Sequence, residues 1–459
     1  MIIVFDLGTS RLKVSAFSIS GELLGQTAFA HHNYSEGERS WQVAEEWWQN
    51  AVTAFQKLIT DHDLDRQGVQ GFSVSGRAGA CVFMGQDGQV IAEPWSDSRH
   101  RSILVDYRSS HPATASYAAT LVAKYLWMRQ HQPQIAERTH RLLYAKDYLL
   151  FRLTGEAVTD PSSGPDDTGW PDDFDQSLPP RTDLPWNLAG TLTDAAATDL
   201  GCPGGLPVAV GAHDGICANT GCNMTREGEF ALTLGTHAVC RTFSSRHQGQ
   251  ENRFYCYPPD RHVYGGNTWH AGSTLNWALR TLLSLPAELS QEQLADLNAA
   301  VSPQPASGEL CFLPYLGGQT LPEKRPPGSG SFQGLSLEAT PEMMLQSVFE
   351  GTAIAVSRTF EAVMEQAGTP MRIALTGGGI VFSSWTQMLA DLLQQPLVET
   401  DHGVEGRGAA AFCAVATGHY SEVDEATTAM QPVSRLIEPG EKRDKWQPLI
   451  ERFNALSQI

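Results

Sequence analysis

At 459 residues the chain exceeds one ordinary core, and size scaling points to two domains of roughly 200 residues each. Hydrophobic residues make up 41% and charged residues 18%, which excludes a disordered chain, and no run reaches the roughly 18 apolar residues of a bilayer span. A formal net charge of −19 argues against a sequence-independent grip on DNA or RNA, although backbone amides can bind a phosphate without any basic surface.

The opening Met1-Ile2-Ile3-Val4-Phe5 has neither a basic leader nor a small-residue cleavage site, so no signal peptide is expected. Ile2–Phe5 reads as a buried strand, Asp6-Leu7-Gly8-Thr9-Ser10 as a turn, and Lys13–Ile19 as a second strand alternating with period two. Together they describe a β-hairpin with a small, polar, glycine-containing tip. Ala44–Ile59 has helical spacing of Trp47, Trp48, Ala51, Phe55 and Leu58, and Val69–Val74 is a strand running into Ser75-Gly76-Arg77. Leu121–Gln130 is helical, and Asp160–Pro185, rich in Pro, Asp and Gly, predicts a long surface loop.

Glu229–Leu234, Gly235-Thr236 and Ala238–Cys240 then repeat the strand–turn–strand device. Two Gly-Thr hairpins half a chain apart suggest two related domains, 1–227 and 228–459, with one hairpin on each side of a shared cleft. Pro314–Gly334 is a second loop. Thr340-Pro341-Glu342 starts a helix in which Met344, Val348, Gly351, Ile354 and Ala355 share a face. Alternating helix and strand signals predict an α/β architecture. The eight cysteines form no CxxC pair and no Cys/His metal spacing, so reduced thiols, a cytoplasmic compartment and no structural metal site are expected.

Three stretches can carry chemistry. Asp6 ends a buried strand beside Gly8-Thr9-Ser10, where free amides can cradle phosphate and the carboxylate can hold Mg²⁺; the same residues also suit an ordinary β-turn. Val208–Gly211 is a strand leading to Ala212-His213-Asp214, whose carboxylate could accept a hydroxyl proton or simply cap the following helix. Ala374-Leu375-Thr376-Gly377-Gly378-Gly379 runs a strand into glycines that let a flat ligand approach the backbone, and Ser383 or Ser384 would cap the next helix. No GxxxxGK[ST] occurs, which excludes a P-loop enzyme.

In their order along the chain these pieces resemble a known family. Asp6–Lys13 is similar to the opening phosphate hairpin of the actin-like ATPase superfamily. Lys124–Met128 with Gln130-His131, and Gly330–Leu335 with Ser347–Glu350, resemble the two signatures of the FGGY family of carbohydrate kinases. Gly211–Asp214 resembles its catalytic stretch, and Glu45–Trp48, Trp95–Arg99, Asp147-Tyr148 and Leu153–Glu156 are similar pieces.

The resemblance implies two related ribonuclease H-like α/β domains of the actin-type ATPase fold flanking a central cleft. Residues 1–227 would bind the sugar and 228–459 the nucleotide. It also implies transfer of the γ-phosphate of ATP, with Mg²⁺, to a hydroxyl of a small sugar such as a pentulose or deoxyhexulose. Asp214 would be the general base and, with Asp6, a metal ligand. Gly8, Thr9, Ser10, Lys13, Gly235 and Thr236 would contact phosphates, Gly377 and Gly378 the adenosine, and Arg77, Trp95 and Asp97 the sugar alongside Asp214. No nucleic-acid or membrane partner is implied, and monomer and homodimer both remain open.

Phosphoryl transfer asks a protein mainly for positioning and charge neutralisation, which fits this residue set. The chain also departs from the family. Arg77-Ala78-Gly79 stands where a Gln-x-His-Gly segment is usual, so a guanidinium faces either the sugar or a salt partner such as Asp97. Gly317-Gly318-Gln319 replaces Gly-Glu-Arg, Val381-Phe382 replaces a basic residue and serine, His237 replaces a serine, and Met343 a polar residue. A polyol kinase of the glycerol or erythritol type and a non-catalytic ATP- and sugar-binding sensor are the alternatives. The chaperones that share the fold carry a peptide-binding domain that has no counterpart here.

Overall fold

The computed structural model describes residues 1–112, 116–165, 170, 172, 174–244, 253–257, 261–286, 289–306, 308–319 and 321–457. The chain forms two compact units interleaved in sequence. The first takes in Met1–Asn223, Phe254–His262 and Gly403–Pro432; the second takes in Met224–Arg253, Val263–His402 and Val433–Ile459.

The first unit is built on a mixed sheet of β1 (Ile2–Leu7), β2 (Arg11–Phe17), β3 (Leu23–Ala30), β4 (Gly71–Gly76), β5 (Leu188–Thr191), β6 (Pro207–Ala209) and β7 (Ala212–His213). The strands lie in the order β5-β6-β4-β1-β2-β3, and β7 also pairs with β4. β1 and β2 form the expected antiparallel hairpin, whereas β1, β6 and β7 all run parallel to β4. Every residue of β1 and β4 is buried, which explains their continuous apolar or small-residue character in place of a strict alternation. Against one face lies the helix Ala44–Asp61, which buries Trp47, Trp48, Ala51, Phe55 and Leu58 as its spacing predicts. The helices Asp214–Gly221 and Val404–Ala416 cross with their backbones nearly touching: a Cβ at Gly408 would come 1.9 Å from the Cys217 carbonyl oxygen, and one at Gly221 would come 1.9 Å from that of Val404.

The second unit repeats the plan with β8 (Glu229–Leu234), β9 (Ala238–Ser244), β10 (Arg261–Thr268), β11 (Arg372–Thr376), β12 (Leu397–Thr400) and β13 (Ser434–Ile437), ordered β10-β9-β8-β11-β12-β13. Again a hairpin, β8–β9, is followed by strands parallel to its first member. The helix Pro341–Ala367 starts as predicted, with Thr340 accepting the Met343 N–H and Pro341 in the first turn. Val348, Gly351, Ile354 and Ala355 are buried along it, and Met344 is half-buried.

Glu350 of that helix is 1% exposed, and its Oε1 accepts the Ala306 N–H at 2.7 Å and Gln346 Nε2 at 2.8 Å. Burial outweighs these bonds and pushes its pKa up to about 7. A carboxyl raised in the folded state contributes stability that is fully present below its unfolded pKa and is lost as pH rises through the folded value. Glu350→Gln keeps both hydrogen bonds without the charge. Relative to wild type the variant should therefore gain thermal stability between pH 5 and pH 7.5, by ~2–3 kcal/mol in all. Parallel midpoint-against-pH curves for the two proteins would refute this.

Three local expectations are corrected. The start of the segment read as a surface loop is interior, with Asp160, Ser162 and Ser163 all buried; positions 166–169, 171 and 173 of that segment lie outside the described residues. The helix after Gly377-Gly378-Gly379 begins at Ser383, and neither Ser383 nor Ser384 caps it: Asn298 Oδ1 accepts the Ser383 N–H, while the Ser384 hydroxyl donates to the Val301 carbonyl. Asp214 is likewise not a cap. The capping group is His213, whose Nδ1 accepts the Gly215 N–H. Among the described residues no helix is long and apolar enough to cross a membrane.

Candidate active site

Parallel pairing of β1, β4 and β7 brings Asp6 opposite Ser75, Ala212 opposite Ser75, and His213 opposite Gly76. Asp6, near the end of β1, and Asp214, the residue after β7, therefore flank the carboxyl end of β4 on one edge of the sheet. The carboxyl ends of parallel strands are where open α/β sheets bind ligands. Gly211 permits the sharp path into β7: its φ is +66°, and a Cβ there would lie 1.9 Å from the Val74 carbonyl oxygen.

The two carboxylates sit in different environments. Asp6 is 6% exposed, and burial, opposed by Lys13 and reinforced by Glu405 and Asp214, pushes its pKa up to about 6. Lys13, directly across the hairpin, holds its Nζ 3.5 Å from Asp6 Oδ2 and 3.8 Å from Glu405 Oε2. The Asp214 side chain is 37% exposed, at the first position of its helix. Its Oδ1 lies 3.2 Å from His213 Nδ1; because that nitrogen accepts the Gly215 N–H, it carries no proton to spend on the carboxylate.

The hairpin tip is exposed at Thr9 and Ser10 and is held from behind. Gly8 donates to the Arg11 carbonyl, and the His31 N–H donates to that of Ser10. The Thr9 carbonyl accepts from Gln42 Nε2 at 3.1 Å and from Arg77 Nη1 at 3.2 Å. Arg77 Nη2 donates to Gln42 Oε1 at 2.6 Å, and the guanidinium lies over the Trp47 ring, 5.6 Å from its centroid. Burial lowers the Arg77 pKa to about 10, with Asp214 acting in the opposite sense. Arg77 thus faces the hairpin, and Asp97 is not its salt partner.

Asp97 instead holds Arg99 through both oxygens and accepts the Ser40 and Arg99 backbone N–H groups. Burial is outweighed by these bonds, and its pKa is held below the usual carboxylate range. Trp95 is 3% exposed, stacked on Phe83 and flanked by Trp127, with its carbonyl accepting from the buried Lys124.

In the second unit the tip of the β8–β9 hairpin, Gly235-Thr236, sits against the first turn of the helix Gly272–Leu283. The Gly272 and Ser273 N–H groups donate to the Gly235 and Thr236 carbonyls. Gly377 follows β11 with φ +97°, and a Cβ there would meet the Leu234 carbonyl at 2.6 Å. Gly378 is exposed, and a Cβ there would meet nothing within 4 Å, so this face of its backbone is open to a flat ligand.

Among the described residues no three His, Cys, Asp or Glu side chains could hold a metal by themselves. Asp6 Oδ1 is nonetheless buried without a hydrogen-bond partner in the structure, and with Asp214 it offers hard oxygens on one sheet edge. That donor set fits a Mg²⁺ ion completing its shell with water and phosphate oxygens. Gln42, Glu405 and Ser162 escaped the sequence reading; the first two are polar residues whose partners lie far away in the chain.

Two family models match the chain: the N-terminal domain of the FGGY family of carbohydrate kinases over residues 1–166, and its C-terminal domain over residues 218–417. The xylulose kinase of Escherichia coli K12 is 28% identical, with 100% of this chain and 99% of that protein covered. The xylulose kinase of Klebsiella pneumoniae is 29% identical, covering 93% and 91%. Among solved structures, the xylulose kinase of Rhodospirillum rubrum superimposes with a TM-score of 0.84 at 25% identity, covering 99% of this chain and 98% of the other.

Proposed function

The chain belongs to the FGGY family of carbohydrate kinases and is an ATP-dependent sugar phosphotransferase, and we propose that its acceptor is a pentulose of the xylulose type, phosphorylated with Mg²⁺-ATP in the cytoplasm. The observation that carries the choice of acceptor is the near full-length similarity to two bacterial xylulose kinases, at 28% and 29% identity.

Residues 1–227 supply the sugar site, the base and one phosphate hairpin, and residues 228–459 the other hairpin and the adenosine contacts. Asp214 accepts the hydroxyl proton. The sugar oxygen forms the new bond to the γ-phosphorus while the bond to the β–γ bridging oxygen breaks and ADP leaves with that electron pair. Gly8, Thr9, Ser10 and Lys13 in one hairpin, and Gly235 and Thr236 in the other, hold the phosphates; Gly377 and Gly378 lie along the adenosine. Asp6 and Asp214 would hold a Mg²⁺ ion, which would supply neutralisation of phosphate charge. Trp95 and Asp97 shape the sugar pocket from behind, through Lys124 and Arg99, since both are already committed to protein partners.

Arg77 braces the phosphate hairpin from behind. With Nη1 and Nη2 committed to Thr9 and Gln42, its truncation loosens the phosphate hairpin. Arg77→Ala should raise KM for ATP by about tenfold and at least as much as KM for the sugar. Direct sugar contact demands the reverse split.

The function is tested by ADP release with Mg²⁺-ATP against a panel of ketoses, aldoses, polyols and sugar acids. A dominant response to D-xylulose or a close pentulose is expected. A dominant response to glycerol or erythritol would overturn the pentulose assignment, and silence across the panel with intact ATP binding would favour a sensor.

A further inference from the structure

A chain of buried polar groups runs from the interior to the backbone beside Asp214. Lys146 and Asp160 are completely buried, with Lys146 Nζ 2.7 Å from Asp147 Oδ1 and 3.0 Å from Asp160 Oδ1. Asp160 Oδ2 accepts both the Ser162 N–H, at 2.9 Å, and the Ser162 hydroxyl. The Ser162 oxygen in turn accepts the His213 N–H at 3.1 Å. His213 is the last residue of β7, and Asp214 follows it.

We propose that Ser162, oriented by the buried Lys146–Asp160 pair, is a positioning residue that fixes the Asp214 carboxylate; the inference rests on the assignment of Asp214 as the base. A serine hydroxyl has one proton to give. Giving it to Asp160 turns the oxygen lone pairs toward His213, so the charge in the interior decides which way the serine faces. The direction of the Asp160 pKa agrees: burial works to raise it, but Lys146 and the hydroxyls of Ser162 and Ser163 prevail and keep it below the usual value.

The geometry then clamps both sides of Asp214. Ser162 holds the His213 N–H before it, and His213 Nδ1 holds the Gly215 N–H after it. A desolvated ion cluster is poor value as a source of stability, because isolating the charges costs about as much as their attraction returns. Its use here is conformational. A general base misplaced by about 1 Å can lose on the order of 10²-fold in rate.

The test crosses Ser162→Ala with Asp214→Asn and measures kcat and both KM values, using D-xylulose or the acceptor selected by the panel, with Mg²⁺-ATP. Ser162→Ala should lower kcat by about 10- to 100-fold in the wild-type background, with either KM changed by less than about threefold, and by less than about twofold in the Asp214→Asn background. Ser162→Cys, nearly isosteric but a poor donor and acceptor, should follow Ser162→Ala and secures the result if the alanine variant does not fold. Equal kcat losses for Ser162→Ala in both backgrounds, or wild-type kcat in both serine variants, overturn the positioning role alone. Wild-type turnover by Asp214→Asn overturns the base assignment first and this inference with it.

Discussion

Asp214→Asn should lose about 10²-fold or more in turnover while still binding sugar and ATP. Asparagine matches aspartate in size and leaves the helix start intact, because His213 caps the helix in its place. What disappears is the ability to take up a proton. No neighbour inherits that role readily: Asp6 is buried and paired with Lys13, and His213 Nδ1 is occupied by the Gly215 N–H. Single-turnover phosphorylation combined with calorimetric binding of each substrate separates the two effects. Turnover within a few-fold of wild type would remove Asp214 from the chemistry. A loss confined to binding would make it a sugar or metal ligand only.

Gly408→Ala should lower the thermal midpoint by about 5 °C or more and reduce activity along with it. Two effects compete at this position. Alanine is the better helix former by about 1 kcal/mol, which would stabilise an isolated helix. Against that, the new methyl would sit 1.9 Å from the Cys217 carbonyl, inside the backbone of the crossing helix, where no side chain can swing aside. Overpacking of this kind costs about 1–3 kcal/mol and sometimes more, so the clash wins. Relief requires the helices to part. One of them begins with Asp214 and the other carries Glu405 in its first turn, so Asp214 and the Lys13 partner shift together. A midpoint at or above wild type would show that the helix contact tolerates a side chain.

The parts of the molecule legible in its sequence are those set by near neighbours. Both hairpins were readable because a period-two strand, a glycine turn and a second strand are adjacent in the chain. The helix at Thr340-Pro341 announced itself through its cap and its proline. Asp214 was readable as a strand-end carboxylate. Polar groups whose partners are remote were not. A stretch of Pro, Asp and Gly around Asp160 looks like solvent-facing loop until Lys146 is brought beneath it. Arg77 was readable only as facing either the sugar or a salt partner such as Asp97, yet Asp97 is taken by Arg99 two residues on, while the groups that receive Arg77 are a backbone carbonyl at Thr9 and the amide of Gln42. Neither carries a charge that a sequence could advertise. Glu405 shares Lys13 with Asp6 across nearly the whole length of the chain.

That last connection bears on how the protein is made. The segment Gly403–Pro432, with its helix Val404–Ala416, completes the first unit. During synthesis the amino-terminal half therefore leaves the ribosome with an open seam, lacking the helix that crosses Asp214–Gly221. Proteins commonly mature domain by domain as they emerge. Here the unit begun first cannot close until translation has passed residue 432, so it waits for a strip of chain that lies beyond most of its neighbour.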